Sequence, residues 1–210
     1  MSGRHRLLLT AVLSLAACTR AEEGPWRDLL VAGSLEGWHA APGGTWEWAD
    51  GVLVGRSSAE EPRHGLLISD AEYGDFDAVL EFRTHVGCSG FYFRVEEIAD
   101  AGGVHGFQAE VDPSMETGGL YETGGRAWVV KPDPALVKSC YRPGEWTTMH
   151  ARAVGGDVEV RVNGKITASL TDDPGRRRGR FALQLHGDQD LHVDFRKLHV
   201  RDLTAAPAGG

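Results

Sequence analysis

The 210-residue chain has no stretch that sustains a helical period, no apolar run long enough to cross a bilayer, and only three cysteines. The first absence excludes helical bundles and alternating α/β folds. The longest apolar stretch, Leu7 to Ala17, falls well short of the ~20 residues a spanning helix needs. Positive charge is also scarce, with 22 Lys and Arg against 30 Asp and Glu, for a formal charge of −8. The one basic run, Arg176-Arg177-Arg178, follows Asp172-Asp173-Pro174-Gly175 and reads as a solvated turn. A nucleic-acid partner is therefore excluded. No Gly-x-Ser-x-Gly elbow and no His-Glu-x-x-His zinc motif occurs, which removes the commonest serine-hydrolase and metalloprotease readings.

The N-terminus has the form of an export signal. Arg4, His5 and Arg6 precede the apolar run, which ends in Leu15-Ala16-Ala17-Cys18, a sequence resembling the bacterial lipoprotein cleavage box. Residues 1–17 are thus expected to be removed, Cys18 to be lipidated, and residues 18–25 to form a tether. An ordinary secretory signal cut near the same place is the alternative. Loss of Arg4 and Arg6 takes two positive charges and moves the formal charge from −8 to −10. The expected location is the bacterial cell envelope, with the chain anchored to a membrane. In that oxidising setting Cys88 and Cys140 are expected to pair. Closing a loop of about 52 residues would stabilise the fold by about 4 kcal/mol. The alternative is two separate thiols.

What the chain has in abundance is glycine and alternation. Its 28 glycines in 210 residues are near twice the usual ~7% and imply many tight turns. Short strands are expected over Trp26–Leu30, Leu66–Ser69, Asp75–Thr84, Trp146–Val154 and Leu191–Leu203, the last with a bulge between Phe195 and Leu198. Asp50-Gly51 and Asn163-Gly164 are expected hairpin turns. Residues 113–143 read as a long, loosely patterned connection, and 204–210 as a tail. Roughly a dozen antiparallel strands in one domain, residues 26–203, imply an all-β fold of two antiparallel sheets, a sandwich or jelly roll.

Three strands each have one apolar and one polar face. Phe107, Ala109 and Val111 alternate with Gln108, Glu110 and Asp112; Phe91 and Phe93 with Tyr92 and Arg94; Phe181, Leu183 and Leu185 with Gln184 and His186. If the strands share a sheet, carboxylates, amides, a phenol, a guanidinium and an imidazole would converge. The alternative is an ordinary wet sheet. Tyr121, Arg126, Trp128 and Lys131 in the long connection suit a rim that stacks on sugar rings and bonds hydroxyls, or else aromatics sealing the edge of the core. His192 and His199 read as surface residues.

The ordered set of Gly33-Ser34-Leu35-Glu36-Gly37-Trp38, Tyr73-Gly74-Asp75-Phe76, Ser89 to Arg94, Gly106 to Asp112, Pro143-Gly144-Glu145-Trp146, Asn163-Gly164 and Ala182 to Gly187 resembles the 3-keto-disaccharide hydrolase domain family, also described as a 3-keto-glucoside lyase and hydratase domain. The likeness covers about residues 26 to 203. It departs from the family pattern where Gln108 and Glu110 exchange amide and acid, and where Thr147 follows Trp146.

The resemblance implies a concanavalin-like jelly roll whose three polar strand faces lie on one concave sheet. It also implies cleavage of 3-keto-glycosides by elimination across C1–C2 followed by hydration. On that reading His186 and Glu110 are the candidate base and acid, and Arg94 would hold the enolate oxygen. Tyr92, Gln108 and Gln184 would orient hydroxyls. Glu110, Asp112 and His186 are a candidate divalent-metal set. A sugar 3-dehydrogenase would be the upstream partner that supplies the oxidised substrate. The alternatives are a non-catalytic carbohydrate-binding lipoprotein on the same fold and a structural surface lipoprotein.

Overall fold

The computed structural model describes residues 24–98 and 103–203. The expected signal peptide, the Cys18 lipidation site and the 204–210 tail lie outside the described residues. In chain order the strands are β1 (Arg27–Asp28), β2 (Trp38–Ala41), β3 (Thr45–Ala49), β4 (Val52–Ser57), β5 (Gly65–Tyr73), β6 (Phe76–Val86), β7 (Ser89–Ile98), β8 (Gly103–Val111), β9 (Leu120–Thr123) and β10 (Ala127–Val130). One helix, α1 (Pro134–Cys140), follows, and then β11 (Thr147–Val154), β12 (Asp157–Val162), β13 (Lys165–Leu170), β14 (Gly179–Leu185) and β15 (Leu191–Asp202).

All pairings are antiparallel and fall into two sheets. One runs β13-β12-β11-β6-β15-β4-β3, with β1 added along β15, and the other runs β10-β9-β8-β7-β14-β5-β2. This is the expected all-β sandwich. Both hairpin turns form as the sequence implies. Ala49 pairs with Val52 across Asp50-Gly51, and Val162 with Lys165 across Asn163-Gly164. All four turn residues have positive φ, the backbone that a two-residue hairpin requires. The bulge expected in the last strand is also present, as a register shift between Phe195 and Lys197.

The core lies between the sheets and is rich in phenylalanine. Phe76, Phe82 and Phe195 from one sheet meet Phe91, Phe93, Phe107 and Phe181 from the other, all essentially buried. Phe93 stacks on Phe107 with ring centroids 5.5 Å apart, and Phe76 meets Phe181 edge-on at 4.9 Å. Since each inward side chain alternates with an outward one, this packing fixes which residues of β7, β8 and β14 face away from the core. A smaller apolar cluster of Leu66, Ile68, Tyr92, Val95, Val104 and Ala182 lies on that outward face of the seven-stranded sheet.

Residues 113–143 are not a structureless connection. Leu120–Thr123 and Ala127–Val130 form a hairpin that extends the seven-stranded sheet beside β8. The helix after it escaped the periodicity reading because seven residues hold too few repeats to show one. Its start is nonetheless written in the sequence. Asp133 caps it by accepting the Ala135 N–H at 2.8 Å, and Pro134 stands in the first turn, where no N–H is needed.

Cys88 and Cys140 are free thiols, which corrects the expected disulfide. The helix turns Cys140 Sγ back toward Leu136 O at 3.3 Å, whereas Cys88 Sγ meets Asp112 Oδ2 at 3.5 Å. The two side chains serve different surroundings.

Candidate functional site

Strands β8, β7 and β14 are successive neighbours in one sheet. In register, Tyr92 lies between Gln108 on one side and Ala182 on the other. Their outward residues therefore share a surface, and a cavity of about 380 Å³ opens there. It is lined by Tyr92, Gln108, Glu110, Asp112, Gln184 and His186 from the three polar runs, joined by Tyr121, Thr123 and Trp128 from the β9–β10 hairpin. His64, Cys88 and Glu116 complete the wall. A volume of this order suits a small ligand. A wider groove of about 530 Å³ along β11 to β13 has no histidine in its lining.

The amides and the phenol form a tied floor. Gln108 Nε2 donates to Gln184 Oε1 at 3.0 Å, Gln184 Nε2 donates to Tyr92 Oη at 3.2 Å, and Tyr92 Oη lies 3.0 Å from Thr123 Oγ1. All three floor residues are buried. Gly90 makes room for this chain, since a Cβ there would sit 2.4 Å from Gln108 Nε2. Burial pushes the Tyr92 phenol well above its usual value, so it remains a hydroxyl.

Glu110 stands on this floor in an environment hostile to charge. Burial, with Asp112 and Glu116 adding negative charge nearby, pushes its carboxyl from an ordinary 4.5 up to about 8. It is therefore protonated at neutral pH. Asp112 differs in being supplied with donors, because its side chain accepts from the Ser114 backbone N–H and from the Cys88 thiol. Burial first, and Asp112 second, push that thiol up to about 12. Cys88 is thus a neutral donor and not a nucleophile.

The imidazole of His186 has a partner that the sequence did not reveal. The rings of His64 and His186 meet edge-on with centroids 4.4 Å apart. Both are oriented by one residue, Gly187, through its N–H and its C=O. His186 Nδ1 lies 2.7 Å from Gly187 O, and His64 Nδ1 accepts the Gly187 N–H at 3.0 Å. A carbonyl only accepts and an N–H only donates, so the neutral tautomers follow. His186 holds its proton on Nδ1 and keeps a lone pair at Nε2; His64 is the reverse and has an Nε2–H. Burial, then the neighbouring His186, lower the His64 pKa and favour its neutral form.

Glycine makes this approach feasible. A Cβ on Gly187 would sit 2.5 Å from Pro62 O, and a Cβ on Gly65 would sit 1.7 Å from Gly43 O. The Glu61 carbonyl also accepts the Asp188 N–H at 2.8 Å, pinning the loop to the end of β14.

The other expected site residues divide. Tyr121 and Trp128 meet edge-on at 5.6 Å and line the cavity. Lys131 stands beside them, with Nζ 4.5 Å from the Trp128 ring centre and 2.8 Å from Glu116 Oε1. Arg126 does not line the cavity. Its guanidinium is bound to Asp173 at 2.7 and 3.0 Å and to Glu122.

Arg94 requires a correction. Alternation from Tyr92 would bring it to the cavity, but the β7–β8 register shifts between Phe93 and Glu96, and Arg94 has φ +53°. The bulge redirects its side chain into a buried network, a common effect of such irregularities. There Nε donates to Gly74 O at 3.2 Å and Nη1 to Gly155 O and Arg176 O, each at 2.9 Å. Nη2 reaches Asp75 Oδ1 at 3.2 Å. Arg94 joins three backbone segments and offers nothing to a ligand in the cavity.

Glu110, Asp112 and His186 share the cavity, but the ligand-type atoms found within 4.8 Å of one another among the described residues belong to His85, His192 and Asp194 on the other sheet.

The model of a 3-keto-alpha-glucoside-1,2-lyase-like domain matches residues 25–201. The chain belongs to this family. Membership gives it a carbohydrate-related function. No curated protein matches the sequence. Among solved structures, it is similar to a Bacillus subtilis protein of unknown function with a galectin-like fold, at TM-score 0.65 and 14% identity over 87% of this chain and 98% of that one. A candidate glycosyl hydrolase from Parabacteroides distasonis aligns at TM-score 0.64 and 18% identity, covering 85% and 94%. The carbohydrate-binding module CBM66 from Bacillus subtilis aligns at TM-score 0.58 and 18% identity, covering 77% and 93%. At these identities the likeness is one of fold.

Proposed function

We propose that this member of the 3-keto-alpha-glucoside-1,2-lyase-like family cleaves the glycosidic bond of 3-keto-glycosides by elimination across C1–C2 followed by hydration. The observation that carries this reading is the pairing, in one cavity, of an imidazole with a free Nε2 lone pair and a carboxyl that is protonated at neutral pH. A C3 ketone acidifies the C2 hydrogen. His186 Nε2 removes that proton, and the electron pair passes into the C2–C3 enolate. Collapse of the enolate restores the ketone, forms the C1=C2 double bond and expels the C1 oxygen, which takes its proton from Glu110. Water then adds at C1 and C2 recovers a proton, so the net result is hydrolysis.

The enolate oxygen needs a donor, and His64 Nε2–H takes the part expected of Arg94. It is a neutral donor, suited to charge that develops and disappears within one turnover. Gln108, Gln184 and Tyr92 orient hydroxyls from the floor. Base, acid and donor are all side chains of this chain.

The test is incubation of the mature protein with 3-keto-sucrose, 3-keto-trehalose and an aryl 3-keto-glucoside, following sugar release in D₂O. The product sugar should carry deuterium at C2, and the unoxidised glycosides should be inert. His186→Ala and Glu110→Gln should each lower kcat by about 10²-fold or more. Turnover without deuterium at C2 would overturn the elimination route, and wild-type rates in both variants would overturn the site.

The Tyr121–Trp128 pair favours a second reading, a non-catalytic carbohydrate-binding lipoprotein, because edge-on aromatics at a cavity mouth serve ring stacking. That reading predicts calorimetric sugar binding without release of product from any of the three substrates.

A further inference from the structure

The eight-stranded sheet carries its own charged clusters on the face turned away from the core. Around Asp77 the pattern is one of saturation, with Arg152 and Arg201 each 2.8 Å from Oδ2 and His150 on Oδ1. The cluster around Asp194 is built differently. His85 Nε2 lies 2.8 Å from Oδ2, and His192 Nε2 lies 3.1 Å from Oδ1. The two rings stack with centroids 4.0 Å apart and planes 19° from parallel. One guanidinium, that of Arg83, completes the set through Oδ2 at 2.7 and 3.1 Å.

The backbone is arranged to bring these groups together. His192 and Asp194 lie two apart on β15 and so share a face, opposite Val193 and Phe195 in the core. On β6, Val86 pairs with His192 and Thr84 pairs with Val193, so His85 has no partner of its own in the register. That irregularity places its ring against His192. Bulges that re-aim a side chain recur beside functional sites. The three ligand-type atoms lie within 4.8 Å of one another.

We propose that His85, His192 and Asp194 form a binding site for a divalent transition ion of the zinc, nickel or copper type, on the sheet opposite the sugar cavity. The donor set, two imidazole nitrogens and one carboxylate oxygen, suits those ions and not calcium or magnesium, which take oxygen cages. To bind, each neutral ring shifts its single proton from Nε2, where it faces the Asp194 carboxylate, to Nδ1 by exchange with water and turns the Nε2 lone pair to the ion, so the imidazoles release no net proton. Asp194 Oδ1 supplies the third ligand. Oδ2 remains with Arg83, which orients the carboxylate as outer partners of metal ligands do. Zinc-ligand distances of about 2.0–2.2 Å require the three donor atoms to draw together. The His85 side chain, a third exposed, has freedom to do so. With three protein ligands, water completes the coordination shell.

Arg83 and Arg56 are cations facing the cluster, and they set the affinity below that of an all-anionic site.

The experiment titrates the tag-free mature protein with zinc chloride by calorimetry and with cobalt chloride by visible absorption. One ion per chain is expected, with cobalt bands of low-symmetry, nitrogen-containing coordination. His85→Ala and His192→Ala should each weaken uptake by about 100-fold or more, while a His64→Ala/His186→Ala double variant should bind as the wild type does. Should a substitution impair folding, imidazole ¹⁵N shifts in the wild-type protein decide the matter, because zinc should move Nε2 of His85 and His192. No uptake, uptake that survives both His85→Ala and His192→Ala, or uptake abolished by His64→Ala/His186→Ala would each overturn the proposal.

Discussion

Replacing Glu110 with glutamine should change how stability depends on pH, with a sign fixed by the cavity. In the folded protein the carboxyl is pushed from an ordinary 4.5 up to about 8 by burial and by the negative charges of Asp112 and Glu116. Between these values the folded state holds a proton that the unfolded chain has released. Stability conferred by that proton is fully present below pH 4.5 and is lost as pH rises through 8. The separation corresponds to at most about 5 kcal/mol. Water at the cavity mouth screens the charge, so about 2–4 kcal/mol is the working expectation. The substituted amide cannot ionise and has nearly the same shape as the carboxyl. Urea unfolding at pH 5, 7 and 9 should therefore show Glu110→Gln and wild type close together at pH 5, and the variant more stable by this amount at pH 9. The same ionisation removes the proposed acid, so wild-type kcat should fall above about pH 8. Stability curves that stay parallel from pH 5 to 9, or a Glu110 carboxyl resonance that titrates near 4.5, would refute the reasoning.

Arg94→Ala leaves three carbonyls and Asp75 without their buried donor and should cost about 3–5 kcal/mol in urea unfolding, while KM and kcat of the folded fraction stay within about twofold. Gly187→Ala sets a Cβ 2.5 Å from Pro62 O and should move the His64 loop, lowering kcat at least tenfold for about 1–3 kcal/mol of stability; an unchanged kcat would remove His64 from the chemistry. Both thiols should appear unlinked in mass spectra of non-reduced protein, with Cys88 alkylating far more slowly than a free thiol at pH 8 because its pKa is pushed up to about 12. Cys18→Ser should release the protein from membranes and abolish a lipid mass on the mature N-terminus, and unchanged fractionation would count against the anchor.

The fold was legible because its signals are local and repeated. Alternation of Phe91 and Phe93 with Tyr92, and of Phe107 and Ala109 with Gln108, is a property of a few consecutive residues, and the pleat converts it directly into an inside and an outside. Asn163-Gly164 and Asp50-Gly51 state their turns through backbone that few other pairs adopt. Arg94 shows where alternation stops being sufficient. Its position in the pattern is the same as that of a cavity residue, and only the β7–β8 register shift, which packs the bulge against glycines on both sides, sends it elsewhere. A Cβ on Gly179 would lie 2.4 Å from the Arg94 carbonyl carbon, and one on Gly106 would lie 3.2 Å from its oxygen. Neither contact can be read from residues 89 to 94. A bulge is decided by partners far along the chain.

The same distinction explains the site. Tyr92, Gln108, Glu110, Gln184 and His186 are strand residues or strand ends, and the sheet that makes them neighbours also made them visible as a polar face. His64 is a loop residue 122 positions from His186, and nothing in its own surroundings marks it. The mark lies in glycines, since Gly43 and Gly65 touch without side chains and Gly187 admits the Pro62 and Arg63 carbonyls. Three glycines that allow backbone to meet backbone are what place a second imidazole over the first. The N–H and C=O of Gly187 then give the two rings opposite tautomers, so that one offers a lone pair and the other a proton. A base and a donor made from the same residue type need such an asymmetric partner, because two equivalent imidazoles would have no reason to divide the roles.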